Sequence, residues 1–121
     1  MTSKVILVVE DDPIVRLTTQ KQLSALGYNC VTIATGEEAV AADHSEFGLI
    51  FMDIGLPGID GTHATLLIRE RELREGRQRI PIVALTAHSD RSRCAGAGMD
   101  DFLQKPALLD DLRGMMTKYM S

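Results

Sequence analysis

Apolar positions fall in compact blocks along the chain, separated by polar, glycine-rich stretches, and the blocks alternate between two periods. KVILVV (4–9) is a continuous apolar, β-branched run, the mark of a strand buried on both faces. Residues 13–26 follow it, with Pro13 suited to a helix's first turn and Gly27 placed as a C-cap. Ile14, Leu17, Leu23 and Leu26 are expected to form the apolar stripe of that helix. NCVTIA (29–34) predicts a second strand, GEEAVAAD (36–43) a short helix and GLIFM (48–52) a third strand. Residues 61–75, with Leu66, Leu67, Ile68 and Leu73, predict a helix whose far end is densely charged. IPIVALT (80–86) reads as another buried strand, DDFLQ (100–104) as a short one, and ALLDDLRGMMTKYM (107–120) as an amphipathic closing helix.

Strands that alternate with helices imply βαβ units and a parallel sheet covered on both faces. A barrel of eight such units needs roughly twice this length, so the expected fold is a single α/β domain over residues 1–121. Its five-stranded, doubly wound sheet should have the flavodoxin-like order 2-1-3-4-5, with ligands at the carboxyl ends of the strands.

Charge and composition narrow the function. A net charge of −4 lacks the basic face that direct nucleic-acid binding needs. No apolar run is long enough to span a bilayer. The N-terminal MTSK leads through a short apolar run into an acidic cluster with no cleavage site, so it reads as mature structure. Cys30 and Cys94 show no metal-type spacing and read as reduced thiols of a cytoplasmic protein.

The rule about strand ends supplies the candidate chemistry. Glu10 and Asp11 follow the first strand, Asp53 the third, Thr86 ends the fourth and Lys105 follows the fifth. In a parallel sheet these ends share one edge. Three carboxylates there repel one another and resist ionising. A hard divalent cation resolves this, and Mg²⁺ fits because it takes few carboxylates and keeps several waters. Lys105 adds a second positive charge. With no His or Cys from a strand end, a nucleophilic triad is ruled out. Such a site suits phosphoryl transfer, with a carboxylate as nucleophile and charge neutralisation as the main catalytic need.

ILVVEDDP, IFMDIGLPGIDG, IVALTAH and MDDFLQKP, in this order across nearly the whole chain, resemble the receiver domain of two-component response regulators and hybrid histidine kinases. The resemblance implies that Asp53 is the phosphoacceptor. It implies Mg²⁺ bound directly by Asp11, with Glu10 acting mainly through water and the Gly55 carbonyl as a further ligand. Thr86 matches the switch hydroxyl, beside a small Ala87 that leaves room for phosphate. Lys105 matches the lysine that pairs with Asp53 and then with the phosphate, and Lys105–Pro106 matches a cis peptide. Phe102 stands at the aromatic switch position, without a phenolic hydroxyl. The implied partner is a histidine kinase or histidine phosphotransfer domain, with the unphosphorylated domain a monomer; the motif style is nearer to receivers attached to hybrid kinases.

Other readings compete. Asp12 caps the first helix. His44 and His63 read as solvated helix residues, GAG (96–98) as a helix terminus, and RERELREGRQR (69–79) as an exposed helix end laced with i, i+4 pairs. His88 is either a loop residue or one that leans over the site and affects water access. A haloacid-dehalogenase-type phosphatase would need a second Asp where Gly55 stands, and a flavin-binding domain would need a phosphate cradle where EDDP would repel. A scaffold receiver would not need the full set of chemical residues present here. Compared with typical receivers, the stretch from Thr86 to Phe102 is about one helical turn short. Ser89 or Asp90 would cap a fourth helix that soon meets Gly96 and Gly98. Residues 88–98 are therefore expected to form a short helix or an irregular, mobile segment, and dimerisation through the face of helix 4, strand 5 and helix 5 should be weak.

Overall fold

The structure, a computed structural model, describes residues 4–87 and 91–120. Five parallel strands, β1 (Val5–Val9), β2 (Cys30–Ile33), β3 (Phe47–Asp53), β4 (Ile82–Thr86) and β5 (Asp101–Gln104), form one sheet in the order β2-β1-β3-β4-β5. Helices α1 (Pro13–Ala25), α2 (Gly36–Ala41), α3 (Gly61–Glu75), α4 (Arg91–Gly96) and α5 (Leu109–Met120) cover both faces.

Strand alternation divides the core in two. Leu7, Val9, Ile50, Met52, Ile82 and Ala84 pack with Ala39 of α2, Ala64 and Ile68 of α3 and Cys94 of α4. Their neighbours Ile6, Val8, Leu49, Phe51, Val83 and Leu85 pack with Leu23 of α1 and Leu112 and Met116 of α5. The continuous apolar runs in the sequence are thus strands with a helical layer on each side.

Helix α1 begins as expected. Asp12 accepts from the Ile14 and Val15 amides at 2.9 and 3.3 Å, Pro13 opens the first turn, and Gly27 follows the end with φ +92°. Its buried stripe differs from the expected one. Ile14 and Leu17 are 75% and 51% exposed, while Thr19 and Leu23 are buried. At ~100° per residue Ile14 and Leu23 lie on opposite sides of the helix. Thr19 fills the core face because its hydroxyl donates to the Val15 carbonyl at 2.9 Å and needs no other partner.

Two further expectations are corrected. His44 is not solvated: it opens a 3₁₀ turn (His44–Glu46), is 3% exposed, and its Nε2 donates to the Ala39 carbonyl at 2.7 Å. His63 is exposed, as expected. The charged stretch 69–79 is more than a solvated helix end. Arg69 donates to the Gly98 and Ile80 carbonyls, Glu72 and Asp100, all within 2.8–2.9 Å. Glu72, 5% exposed, also accepts the Ile80 amide. An i, i+4 pair does occur, between Arg71 and Glu75, but the stretch mainly ties α3 to the starts of β4 and β5.

Helix α4 is six residues long, the short helix expected, and the turn after it passes through Gly98 with φ +94°. Ser89 and Asp90, the expected cap residues, lie outside the described residues. Cys30 and Cys94, on β2 and α4, are not joined by a disulfide. Among the described residues no helix is long and apolar enough to cross a membrane.

Candidate functional site

The carboxyl edge of the sheet is assembled by main-chain hydrogen bonds. At the end of β1 the Glu10 amide donates to the Ile33 carbonyl at 3.0 Å, and the Asp12 amide returns to Glu10 Oε1 at 3.2 Å. Arg16, which the sequence pattern did not single out, donates from Nη1 to the Glu10 carbonyl at 2.9 Å. Its signal was positional: it stands four residues past the cap, on the helix that follows the acidic pair. At the end of β3 the Ile54 amide donates to the Leu85 carbonyl, and the Gly61 amide donates to the Ile54 carbonyl, both at 3.0 Å. The second bond draws the start of α3 back over the strand end. The approach is so close that a Cβ on Gly61 would lie 2.1 Å from the Asp53 carbonyl oxygen. At the end of β4 the Thr86 carbonyl accepts the Lys105 amide at 2.7 Å, and the Lys105–Pro106 peptide is cis.

These supports bring four charged side chains together. One oxygen each of Glu10, Asp11 and Asp53 lies within 4.8 Å of the others. Lys105 Nζ stands 2.7 Å from Glu10 Oε2 and 3.0 Å from Asp53 Oδ2. Asp53 Oδ1 accepts the Gly55 amide at 3.0 Å. Glu10 and Asp53 are buried, at 1% and 4% exposure, whereas Asp11 faces solvent.

The electrostatics are those of a cluster short of positive charge. Burial pushes the Glu10 carboxyl above the ordinary range, against the pull of its Lys105 hydrogen bond and with the help of the Asp53 charge. Lys105 is itself held above its usual value: burial disfavours its charge, but hydrogen bonds to Glu10 and Asp53 outweigh that. Among the described residues, one ammonium, Lys105, stands by the three carboxylates, bridging Glu10 and Asp53. The donor set is all oxygen, and one of the three carboxylates opens to solvent, which fits a hard cation that keeps part of its water shell.

The remaining expected residues are placed by the strands and by the loops that follow them. Thr86 is buried at the end of β4, and Ala87 after it is exposed. Gly55 is exposed beside Asp53. Phe102, half-buried in β5 in register with Ala84, packs against the core layer of α2, α3 and α4. His88 lies outside the described residues.

A family model for the response regulator receiver domain matches residues 6–117. The chain belongs to the response regulator receiver family. The receiver domain is 38% identical over 120 residues to the hybrid signal transduction histidine kinase F of Dictyostelium discoideum, a match covering 95% of this chain and 11% of that protein's length. Among solved structures it resembles the receiver domain of the sensor histidine kinase PA1611 from Pseudomonas aeruginosa (TM-score 0.85, 36% identity, 98% of each chain), which carries magnesium in its active-site cleft. It also resembles the receiver domain of the Saccharomyces cerevisiae response regulator Ssk1, solved with the histidine phosphotransfer protein Ypd1 (TM-score 0.90, 29% identity, 97% of this chain and 88% of that one). The family match supports neither the phosphatase nor the flavin reading. The four-part resemblance seen in the sequence was therefore a family relationship, with Glu10, Asp11, Asp53 and Lys105 gathered at one edge of the sheet.

Proposed function

We propose that this receiver domain accepts a phosphoryl group on Asp53 from a phosphohistidine of a histidine kinase or histidine phosphotransfer protein. An Asp53 carboxylate oxygen attacks phosphorus, the phosphorus–nitrogen bond breaks, and the imidazole leaves and takes up a proton. The product is an aspartyl-phosphate whose charge alters the surface offered to partners. The observation that carries this reading is Asp53 itself: a buried carboxylate at a strand end, with Lys105 on one oxygen and the Gly55 amide on the other.

Mg²⁺ would be held by Asp11, Asp53 and the Gly55 carbonyl, with Glu10 through water, and would neutralise charge on the transferred group. Lys105 shifts from the Glu10–Asp53 bridge towards the phosphoryl oxygens. Thr86 supplies a hydroxyl to them, small Ala87 leaves them room, and Phe102 carries the change to the α4–β5–α5 face. The exposed apolar side chains Ile14, Leu17, Leu108 and Leu109 suit docking of the phosphodonor, and Gln22 ties α1 to the Ala107 carbonyl at 3.1 Å. The reading places the domain in the cytoplasm, monomeric before phosphorylation.

Incubation with acetyl phosphate and Mg²⁺, followed by intact mass and site mapping, is the test. The wild type should gain one phosphoryl group at Asp53, and Asp53→Asn should keep the fold and gain none. Equal uptake by both proteins would refute the assignment.

A further inference from the structure

We infer that Arg16 is a positioning residue for the cation site, acting through the main chain that joins Glu10 to Asp11. The inference rests on the reading of Glu10, Asp11 and Asp53 as the carboxylates that hold Mg²⁺.

Arg16 completes the first turn of α1, half-buried, and reaches back six residues to the Glu10 carbonyl. Among the described residues it makes no ion pair with a carboxylate. That is unexpected beside a cluster of three acids, where a guanidinium offered as a counter-charge would form a fork with a carboxylate. Its bond to a neutral carbonyl fixes geometry instead. The Glu10 carbonyl and the Asp11 amide belong to one planar peptide unit. Holding the carbonyl therefore holds the plane and sets the direction in which the Asp11 side chain leaves the backbone.

The rest of the turn is already fixed from the other sides. The Glu10 amide is bound to the Ile33 carbonyl, and the Asp12 amide to Glu10 Oε1. Asp12 in turn caps α1, so the helix that presents Arg16 is anchored by the residue next to the ligand. Arg16 closes this loop of restraints from the helix side. The restraint matters most for Asp11, the carboxylate that faces solvent, which repulsion from Glu10 and Asp53 would otherwise push outward. Groups that orient a metal ligand without touching the metal typically contribute 10–100-fold in affinity.

The experiment is a Mg²⁺ titration of wild type, Arg16→Met and Arg16→Lys, followed by amide NMR shifts at residues 11 and 53. Acetyl phosphate labelling is measured in parallel across the same Mg²⁺ range. Met keeps the apolar stem and removes the donors; Lys keeps one donor and the charge. Arg16→Met should bind Mg²⁺ roughly tenfold more weakly. Its labelling curve should shift to higher Mg²⁺ but reach the wild-type plateau, and Arg16→Lys should recover part of the lost affinity. Unchanged Mg²⁺ affinity in Arg16→Met overturns the inference, as does a lowered plateau with unchanged Mg²⁺ dependence. A wild type that binds no Mg²⁺ overturns the underlying reading of the site instead, so the two failures are distinct.

Discussion

Gly61→Ala and Gly114→Ala are the same substitution near the start and in the middle of two helices, and the structure assigns them opposite signs. Gly114 is exposed in the middle of α5, and a methyl group added there would meet nothing within 4 Å. Alanine there should stabilise by about 0.5–1 kcal/mol through helix propensity and lost unfolded-state freedom. Gly61 opens α3 directly over the end of β3, which carries Asp53, the proposed acceptor. Its Cβ would stand 2.1 Å from the Asp53 carbonyl oxygen and 2.9 Å from Asp53 C and Ile54 Cα. A comfortable carbon–oxygen approach is about 3.3 Å, so helix and strand end must part by about 1 Å. The obstructing atoms are backbone and cannot rotate aside. Overpacking of this kind costs about 1–3 kcal/mol, which exceeds the propensity gain.

The displaced atoms belong to Asp53 itself, so the effect should reach the chemistry. A misplacement of about 1 Å at a reacting group costs on the order of 10²-fold in rate. Urea unfolding should show Gly61→Ala less stable and Gly114→Ala more stable than wild type. Acetyl phosphate labelling should be about two orders of magnitude slower in Gly61→Ala and unchanged in Gly114→Ala. Wild-type stability together with a wild-type labelling rate in Gly61→Ala would refute the steric reasoning.

Other expectations follow from the opposite edge and from the helical faces. Arg69→Met leaves Glu72 and Asp100 without their shared cation and should cost about 3 kcal/mol; a urea midpoint unchanged from wild type would contradict this. Asp101 is held below the ordinary carboxylate value: burial raises it, but hydrogen bonds from Lys118, the Phe102 amide and Tyr119 outweigh that. A depressed folded value means that the unfolded chain binds the proton more readily, so this stabilisation is present above about pH 4 and is lost as pH falls through the folded value. Asp101→Asn should therefore flatten the acid limb of Tm against pH, and parallel acid limbs in the two proteins would count against it. Dimerisation through α4, β5 and α5 should be weak even after phosphorylation, because α4 is six residues long and its buried Cys94 is small; a tight phosphorylation-dependent dimer in sedimentation, joined through that face, would overturn this.

The fold was legible because β1, β3 and β4 are nearly continuous apolar runs, and the candidate site because its residues sit at or just after strand ends. Asp53 after Met52, Thr86 at the end of β4 and Lys105 after β5 need only the parallel topology to converge. What stayed hidden depended on partners distant in sequence or on polar groups satisfied locally. Thr19 passes for a surface residue until its hydroxyl is seen bonded within its own helix. His44 looks solvated until the Ala39 carbonyl and the Phe47 ring are placed beside it. Arg69 and Glu72 resemble ordinary helix charges, since nothing local announces Gly98, Ile80 or Asp100 as their partners.

The two edges of the sheet treat charge in opposite ways, and the difference follows from what each must do. At the amino edge, Asp100 accepts from Arg69, Arg79 and the Ile82 amide, and Glu72 accepts from Arg69 and the Ile80 amide. Those carboxylates are matched, and they bind the end of α3 to the starts of β4 and β5. At the carboxyl edge, among the described residues, three carboxylates meet one lysine, and burial, helped by the Asp53 charge, holds the Glu10 carboxyl above its ordinary value. A matched cluster there would have little affinity for a further cation, and in the proposed reaction the cation would neutralise an incoming phosphoryl group. The unmatched charge is the property a phosphoacceptor site requires, and it lowers the stability of the edge that carries it. The arginine network therefore sits where it can hold α3, β4 and β5 in register without adding its own cations to the site.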